Sequence, residues 1–331
     1  MLHAVPADPT PDAAAAPRAP AADAPIFVVL NAGSGHGQAD ATRAAIAGVL
    51  QDAGRVHRIL VVDDPARLQA VSAQAVALAR AGGGIVVAAG GDGTLNTVAQ
   101  AVLGSGCCFG VLPQGTFNYF GRVHGIPADT AAATRLLLAA RAHPVQVGLV
   151  NDKVFLVNAS LGLYPQLLED REAWKRRLGR SRLVAFGAAL ATLLRAHRRL
   201  RLSITLRGRE MRVRTPTLFV GNNRLQMEQV GTAQAFEEGR LAGIMLRPVG
   251  VPGMLWLVLR GALARLADAD NVTAFGFDSL TVRVRRFPGR RSFKVATDGE
   301  VTRLALPLAF RVSPEPLWLL KPEPGAHAGM P

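Results

Sequence analysis

Short apolar runs alternate with longer amphipathic stretches along the first half of the chain. Four of the runs predict buried strands, at residues 26–30, 56–62, 85–89 and 109–112. The intervals carry helix-type periodicity and predict helices at residues 41–53, 66–81 and 94–103. Strands that alternate with helices in this way are typical of an α/β domain with a parallel sheet and right-handed crossovers.

After about residue 144 the pattern changes to a series of strands. They are predicted at residues 155–157, 201–206, 212–220, 241–247, 279–285 and 293–296. Two helical stretches interrupt them, at residues 166–200 and 252–268. The pattern therefore predicts two domains, an α/β domain over residues 25–145 and a mainly β, sandwich-like domain over residues 146–309.

Glycine-rich turns follow three of the strands in the first domain. Their sequences are NAGSGHG at residues 31–37, GGDGTLN at residues 90–96 and PQGTFN at residues 113–118. The carboxyl ends of parallel strands meet at one edge of a sheet, where open α/β folds bind ligands. Because glycine has no Cβ atom, backbone N–H groups in such turns can approach a phosphate. For GGDGT before a helix we therefore favour phosphate binding over an ordinary tight turn.

In this position GGDGTLN resembles the glycine loop of the diacylglycerol kinase catalytic domain superfamily, which includes bacterial lipid kinases and sphingosine kinases. NAD kinases share GGDGT as well. The resemblance implies that the loop cradles the phosphates of ATP, which Mg²⁺ would bridge. The implied loop residues are Gly90, Gly91, Asp92, Gly93, Thr94, Leu95 and Asn96. The other two turns match the family at Asn31, Ser34, Gly35, Gly115, Thr116 and Asn118, and the resemblance implies that Thr116 and Asn118 face the nucleotide or the acceptor.

The segment DGE, Asp298 to Glu300, is the fourth match to this family. There the resemblance implies a carboxylate that takes the proton of the acceptor hydroxyl, and it makes Asp92 a further catalytic candidate. Asp298 and Glu300 are two positions apart, so on a strand they would share a face. The spacing leaves open which of them is the base. The alternative interpretation is a glycine-containing β-turn with two exposed acids.

Two further features depend on the same resemblance. The segment EEGRL resembles an acidic loop that holds a structural Mg²⁺, with Glu237, Glu238 and Leu241 as the candidate ligands. Glutamates stand there in place of the usual aspartate, and their reach is longer. The resemblance also implies that the last strand, residues 317–320, returns to the first domain as part of a C-terminal segment at residues 310–322.

The chain departs from the family pattern at two positions near the cleft. Many members have Glu directly after GGDGTxN and Asp directly after GTxN, where this chain has Thr97 and Tyr119. These differences leave the nucleotide loops intact. The same differences weaken the assignment of diacylglycerol as the acceptor.

The formal net charge of +14 is concentrated in two regions. Residues 171–214 hold fourteen basic and two acidic side chains, and residues 283–294 hold six basic ones and no acid. Anionic lipid and nucleic acid both fit such regions, but the basic segments lack the interleaved aromatics that stack on bases. We therefore expect an anionic membrane surface as partner and no nucleic acid. Residues 174–200 read as a basic amphipathic helix, or alternatively as a core helix with a solvated basic face.

Residues 1–24 are rich in Ala and Pro and are predicted to be a disordered tail rather than a signal peptide. No uncharged apolar run reaches the ~18 residues that span a bilayer. We expect a cytoplasmic protein with peripheral membrane association. The adjacent Cys107 and Cys108 are expected to be small core residues, since neighbours in sequence rarely form a disulfide.

Together these patterns predict an ATP-dependent lipid kinase that phosphorylates a hydroxyl of a diacylglycerol-like lipid. A small-molecule kinase of the NAD kinase type is an alternative, which the DGE segment and the basic regions disfavour. A nucleotide-sensing, membrane-binding protein without catalysis is a second alternative, which Thr97 and the altered acidic segment support. The oligomeric state stays open, and a homodimer is one of the states that the sequence allows.

Overall fold

The computed structural model describes residues 21, 23–33, 39–162, 200–206, 208–223, 227–228, 239–247, 272–284 and 291–323. Strands and helices are numbered here in chain order. The predicted helices at residues 166–200 and 252–268 lie outside the described residues, as does nearly all of the predicted N-terminal tail. Among the described residues, no helix combines the length and the apolarity needed to span a bilayer.

A six-stranded sheet forms the centre of the first domain, in the order β2-β1-β3-β4-β18-β5. Its strands are β1 (Ile26–Asn31), β2 (His57–Val62), β3 (Ile85–Gly90), β4 (Cys108–Pro113), β5 (Arg141–Val145) and β18 (Leu317–Lys321). All pairings are parallel except that of β5 with β18. Every residue of β3 and β4 is buried, as expected for central strands of a parallel sheet covered on both faces.

Five helices flank this sheet. They are α1 (Ala39–Asp52), α2 (Leu68–Gly82), α3 (Asp92–Val102), α4 (Tyr119–Val123) and α5 (Thr130–Ala139). Helix α1 packs beside α5, and α2 packs beside α3. The strand–helix alternation predicted from the sequence is therefore confirmed. Cys107 and Cys108 are buried free thiols in this core, also as predicted.

The second domain is a sandwich of two six-stranded sheets. One has the order β10-β9-β14-β17-β6-β7 and the other β13-β12-β11-β8-β15-β16. Their strands are β6 (Gly148–Val150), β7 (Lys153–Phe155), β8 (Asn158–Gly162), β9 (Leu200–Leu206), β10 (Arg209–Thr215), β11 (Thr217–Gly221), β12 (Leu241–Leu246), β13 (Val272–Phe277), β14 (Ser279–Val284), β15 (Ser292–Thr297), β16 (Glu300–Ala305) and β17 (Leu308–Val312). Apolar side chains of both sheets share one core, which includes Phe155, Leu218, Phe277 and Phe310. The predicted sandwich-like second domain is confirmed.

Two predicted strands are wrong in detail. The run at residues 212–220 forms two strands, β10 and β11, which belong to different sheets. The break comes at Pro216, because proline has no N–H to donate to a ladder and its ring fixes φ. The run at residues 155–157 likewise joins two strands, β7 and β8. Periodicity alone does not reveal where a chain crosses from one sheet to another.

The last strand returns to the first domain at the place that the resemblance implied, residues 317–320, whereas the start of the wider 310–322 segment stays in the second domain. Only β18, Leu317–Lys321, enters the first sheet, between β4 and β5. Residues 310–312 belong instead to β17, which pairs with β14 and β6 in the sandwich. The two strands are separated by Ser313, Pro314, Glu315 and Pro316, and the two prolines mark the break between them in the sequence.

A single carboxylate joins the two domains next to the glycine loop. Asp298 Oδ2 accepts hydrogen bonds from Asn96 Nδ2 of α3 and from the Leu156 N–H, each at 2.7 Å. Asp298 Oδ1 accepts from the N–H groups of Val157 and Asn158, each at 2.9 Å. Four donors therefore surround this carboxylate, and they come from α3 and from the β7–β8 connection.

Two side chains of α3 extend this contact to β7. Asn96 Nδ2 also donates to the carbonyl of Val154 at 2.8 Å. Gln100 Nε2 donates to the carbonyl of Asp152 at 3.0 Å, and its Oε1 accepts from the N–H of Val154 at 2.7 Å. The Gln100 amide thus pairs with the backbone on both sides of Lys153, much as a neighbouring strand would. The interface fixes β7 against the helix that begins at the glycine loop.

We predict that Asp298→Asn destabilises the protein even though the amide has nearly the same shape. Its one carbonyl oxygen can serve two of the four donors, while its NH₂ group would face the other two. Leaving a buried donor unsatisfied costs about 1–3 kcal/mol, so a loss of at least about 2 kcal/mol is expected. Urea unfolding measures it. Asp64→Asn is the control, because Asp64 is exposed and accepts only from Ala66 N. Equal stability of both variants would contradict the assigned role of Asp298.

Candidate functional site

The glycine loop forms the N-terminus of α3. Gly91 is the N-cap residue and provides no side-chain cap, and its carbonyl accepts from the N–H of Leu95 at 3.0 Å. The N–H groups of Asp92, Gly93 and Thr94 therefore have no acceptor within the helix. Together with the helix dipole they favour an anion at this point. The predicted phosphate cradle thus has the local geometry that phosphate binding requires.

Two of the glycines are required by close packing around the loop. A Cβ atom on Gly90 would lie 2.5 Å from Thr94 Cβ. A Cβ atom on Gly115 would lie 3.0 Å from the Cα of Gly91. The GGDGT and PQGT turns therefore contact each other through glycine backbone, and together they make one continuous surface.

Gly93 has a different neighbour, from the other domain. A Cβ atom at this position would lie 2.6 Å from Glu300 Oε1. The sandwich domain thus places a carboxylate directly against the glycine loop. The contact brings together two motifs that are about 200 residues apart in the sequence.

Asn31, from the first glycine turn, holds the loops together. Its Nδ2 donates to Thr94 Oγ1 at 2.9 Å, and its Oδ1 accepts from the N–H of Gly33 at 3.0 Å. The first bond joins the first turn to α3, and the second lies within the first turn itself. Ser34 and Gly35 lie outside the described residues.

The third turn, PQGTFN, is shaped by Asn118. This residue has a left-handed backbone (φ 48°), and its Oδ1 accepts from the N–H of Gly115 at 2.9 Å. The Asn118 side chain therefore stabilises its own turn. Thr116 of the same turn is exposed. Phe117 and Tyr119 stack with ring centroids 5.7 Å apart, and the Phe117 side chain is exposed beside the loop.

Asp92 lies between the two turns. Burial raises the pKa of its carboxyl group, and backbone N–H groups of Phe120, Tyr119 and Asn118 at the start of α4 oppose that rise. Asp92 Oδ1 is buried and has no hydrogen-bond partner among the described residues. An unpartnered carboxylate oxygen beside a phosphate site is the type of hard donor that Mg²⁺ takes. Asp92 therefore fits a metal that is shared with the phosphates of a nucleotide.

Asp298 and Glu300 do not share a face, contrary to the expectation from their spacing. Asp298 and Gly299 form the tip of the β15–β16 hairpin, and both have positive φ values, 48° and 89°. Such a two-residue turn reverses the chain, so the strand alternation assumed from the sequence does not apply. The Asp298 carboxylate faces the β7–β8 connection, and that of Glu300 faces the loop at Gly93.

The two acids also differ in their electrostatic surroundings. Burial raises the pKa of Asp298 to about 6, and its four hydrogen-bond donors oppose that rise. Removal from water also raises the pKa of Glu300, and the positive charge of Lys153 lowers it. Glu300 is exposed to the cleft and has no hydrogen bond to the described residues that would occupy its oxygens. Of the two carboxylates, Glu300 is the one that a ligand can reach.

A cavity of about 740 Å³ opens beside the loop and is large enough for a nucleotide. Its walls come from the β2–α2 connection, from α2 and α3, and from the second domain. The lining residues are Asn31, Pro65, Ala66, Leu68, Gln69, Ala73, Val76, Thr94, Thr97, Gln100, Ala101, Lys153 and Glu300. The cavity is therefore shared by the two domains, with Lys153 and Glu300 as its charged residues.

Several predicted site residues lie elsewhere. The Leu95 side chain is fully buried in the first core, and Asn96 bonds across the domain interface, so only their backbone is near the loop. The Leu241 side chain is buried in β12, which leaves its backbone oxygen as the only candidate ligand. Glu237 and Glu238 lie outside the described residues. The part of the chain that is described holds no cluster of three or more His, Cys, Asp or Glu side chains.

Sequence reasoning missed most residues of the cavity wall, and among them Lys153 and Gln100 contribute charge and hydrogen bonds. Lys153 lies in β7 between two residues whose backbone Gln100 clamps, and its side chain lines the cavity near Glu300. Neither residue belongs to a glycine turn. The only available signal was the position of Gln100 one helical turn after Asn96, on the same face of α3.

Comparison with known proteins agrees with this geometry. Residues 25–150 match the family model described as the diacylglycerol kinase catalytic domain. A Klebsiella pneumoniae (strain 342) protein named "Probable lipid kinase YegS-like" is 44% identical over 79 residues, which cover 23% of this chain and 27% of that protein. The Pseudomonas aeruginosa (strain UCBPP-PA14) protein of that name is 41% identical over 122 residues, or 36% and 39% of the two chains. This chain thus spans at most about half the length of such curated relatives.

Solved structures extend the likeness to nearly the whole chain. A structure described as a diacylglycerol kinase from Bacillus anthracis str. Sterne has a TM-score of 0.64 and 16% identity, and the match covers 91% of this chain and 97% of that one. A second Bacillus anthracis chain has a TM-score of 0.69 and 20% identity, with coverage of 91% and 96%. Residues 25–150 therefore match the diacylglycerol kinase catalytic domain, and the chain has the two-domain fold of these diacylglycerol kinase-like structures.

Proposed function

We propose that this protein is an ATP-dependent lipid kinase that transfers the γ-phosphoryl group to a hydroxyl of a diacylglycerol-like lipid. The observation that carries the proposal is the contact between Glu300 and Gly93. It places a reachable carboxylate directly beside a helix N-terminus that is suited to phosphate. Phosphoryl transfer needs these two groups close together, because the base must take the proton of a hydroxyl that attacks the bound phosphate.

The nucleotide would occupy the shared cavity. Its phosphates would contact the N–H groups at the start of α3, where no side chain intervenes. Its nucleoside would extend toward α2, where the walls are largely apolar. Thr94 and Asn31, which are bonded to each other, would border the phosphates. Lys153 would add positive charge on the side of the second domain.

Mg²⁺ would bind at Asp92 and neutralise the charge of the phosphates. The ion usually takes one or two carboxylates and completes its shell with phosphate oxygens and water. The buried, unpartnered Asp92 Oδ1 suits this arrangement. A second, structural Mg²⁺ at Glu237, Glu238 and the Leu241 carbonyl remains part of the proposal.

Glu300 is the proposed general base, and Asp298 is a positioning residue. All four groups around Asp298 are hydrogen-bond donors, so a proton taken up there would find no acceptor. Glu300 has a pKa raised by its surroundings, which favours proton uptake, and it is exposed to the cleft. Asp298 would hold the hairpin that carries Glu300 in place against α3.

A lipid acceptor is supported by the names of the curated relatives and by the regional positive charge of the chain. A lipid kinase would act at a membrane surface as a peripheral, cytoplasmic protein with a role in phospholipid metabolism. The NAD kinase type of activity and a nucleotide sensor without catalysis are the competing functions. They differ in the fate of the γ-phosphoryl group.

The function is tested by following that group. The purified protein is incubated with γ-labelled ATP, Mg²⁺ and a total bacterial lipid extract in detergent micelles, and the products are separated into lipid and water-soluble fractions. We expect label in a lipid with a free hydroxyl. Label in a water-soluble acceptor would indicate the small-molecule kinase. Binding of ATP without any transfer would indicate the sensor.

We predict that Glu300→Gln lowers kcat by a factor of about 10² to 10⁴, which is the usual effect of removing a general base. The fold should remain intact, because Glu300 is exposed and forms no bond that holds the interface. The affinity for ATP should change little. Steady-state kinetics and thermal unfolding measure these quantities. Near-normal kcat would exclude Glu300 as the base.

Gly93→Ala tests the contact with Glu300 separately. Gly93 lies in a helix, where alanine is favoured over glycine by about 1 kcal/mol, so stability should be kept or improved. The added methyl group would displace the Glu300 carboxylate, and a misplacement of about 1 Å can cost about a hundredfold in rate. Gly48→Ala in α1 is the control, since no atom lies within 4 Å of its added Cβ. Unimpaired kcat in the Gly93 variant would refute the contact.

We predict that the pH dependence of kcat/KM reveals the interaction between Glu300 and Lys153. Glu300 must be ionised to accept a proton, and its raised pKa places the acid limb of kcat/KM above the ordinary value of 4.5. Lys153 lowers that pKa. Lys153→Met should therefore move the acid limb to higher pH, while Lys153→Arg should retain its position. If the acid limb does not move in the Lys153→Met variant, the charge of Lys153 does not affect the pKa of the base.

A further inference from the structure

The outward face of the β10-β9-β14 part of the sandwich is crowded with arginine. Strand alternation puts the apolar residues of β9, Leu202 and Ile204, in the shared core, so Arg201 and Ser203 lie on the opposite face, where Arg201 is exposed and Ser203 is buried. The register then assigns their neighbours to the same face. Arg214 lies opposite Arg201, and the outward-facing residues in the Ser203 row are Arg212 and Arg283. We call Arg201, Arg212, Arg214 and Arg283 the arginine face.

All four arginines of this face are exposed. Neighbouring strands are about 4.8 Å apart, so Arg212 and Arg283 on either side of β9 are separated by only about 10 Å. Within the described part of the chain, none of the four is in an ion pair. The acid on the same face of β10 is Glu210, which accepts a hydrogen bond from Ser203 Oγ.

This arrangement is unfavourable for the isolated protein. Like charges directly opposite each other on an antiparallel pair destabilise the sheet, and Arg201 and Arg214 are such a pair. Arg311 extends the same face on β17. Charged side chains often protect a sheet edge from aggregation, but of these strands only β10 is an edge, while β9 and β14 are interior strands of the described sheet. Positive charge spread over three adjacent strands instead indicates an anionic partner.

We propose that the arginine face is the surface by which this protein binds an anionic phospholipid bilayer. A sheet face is broad and shallow, which suits the plane of lipid headgroups. The outward positions of β9, β10 and β14 hold no aromatic side chain, so the face lacks the stacking platforms with which proteins bind single-stranded nucleic acid. Each arginine near an anionic bilayer contributes attraction that falls off within a Debye length.

The inference rests on the proposed function in one respect: a lipid acceptor brings the protein to a membrane. It assigns the contact to strands of the sandwich, whereas the sequence pointed to the helix predicted at residues 174–200. It also separates membrane binding from catalysis, because the arginine face belongs to a sheet surface outside the cavity that Glu300 lines.

The experiment compares two quadruple variants of the full chain with equal net charge. In the first, Arg201, Arg212, Arg214 and Arg283 are changed to Gln. In the control, four exposed arginines of the first domain, Arg43, Arg58, Arg80 and Arg135, are changed to Gln. Binding without nucleotide is measured on phosphatidylcholine vesicles that contain 0, 20 or 40% phosphatidylglycerol, at two salt concentrations. Unfolding by urea is measured in parallel.

We expect the arginine-face variant to bind the anionic vesicles at least about tenfold more weakly than the wild type, and the control variant to bind nearly as well as the wild type. The difference should shrink at high salt and vanish on neutral vesicles. The arginine-face variant should be at least as stable as the wild type, because repulsion between Arg201 and Arg214 is removed. Equal losses in both variants, or none in the first, would overturn the proposal. Loss of binding to duplex DNA with vesicle binding retained would also overturn it.

Turnover in detergent micelles separates this inference from the proposed function. The arginine-face variant should phosphorylate micellar lipid at the wild-type rate, since it retains every residue of the cavity. If the wild-type protein transfers no label to any lipid and yet binds vesicles through the arginine face, the kinase assignment fails and the membrane surface stands. If the arginine-face variant binds vesicles normally while the wild type is an active lipid kinase, the arginine face is not the membrane-binding surface, and the kinase assignment stands.

Discussion

The hydrogen bonds of Asp298 set the distance on which the whole site depends. One of their donors, Asn96, lies in the helix that begins at the glycine loop, and the others lie in the chain that links β7 to β8. Glu300 follows Asp298 by two residues. The phosphate-binding end of α3 and the carboxylate beside it are therefore tied together by a junction that spans 202 residues of sequence. Three of the four bonds lie within the second domain, and the bond to Asn96 extends this cluster to the first domain, beside the bonds of Asn96 and Gln100 to β7.

The junction explains why acids two residues apart have different tasks. A tight hairpin tip with two positive φ values turns Asp298 inward to its donors and leaves Glu300 at the start of a strand. Four donors hold Asp298 in one orientation, and the same donors make it a poor acceptor for a further proton. Because Asp298 holds the hairpin in place, Glu300 has no structural role there and can contact a ligand. The clamp of Gln100 on both sides of Lys153 supports the cavity in the same manner from β7.

Much of this architecture could be predicted from the sequence, and the failures have definite physical causes. The strands and helices of the first domain and the three glycine turns followed from periodicity and from the position of glycine after apolar runs. The prediction of one strand over residues 212–220 failed because it overlooked Pro216, where the strand breaks and the inward positions shift from Val213 and Thr215 to Leu218 and Val220. Asn118 was predicted to face a ligand, but its side chain completes its own turn through Gly115. Lys153 was missed because its place in the site depends on the docking of two domains, which local pattern does not encode.

Thr97 and Tyr119, the two departures from the pattern that the resemblance implies, reduce the number of carboxylates in the cleft. Thr97 stands where the resemblance led us to expect Glu, and its hydroxyl donates to the carbonyl of Gly93 at 3.1 Å, within the loop itself. Tyr119 stands where it led us to expect Asp, and its ring stacks on Phe117. At both positions this chain has an uncharged side chain, and that side chain makes its contact with a residue of its own loop. Among the described residues at the cleft, Asp92 and Glu300 are then the acids that are not consumed by structure. Asp92 has the buried, unpartnered oxygen that suits a metal, and Glu300 has the exposed carboxylate that suits a proton, so the two acids differ in the way that the proposed phosphoryl transfer to a hydroxyl would use.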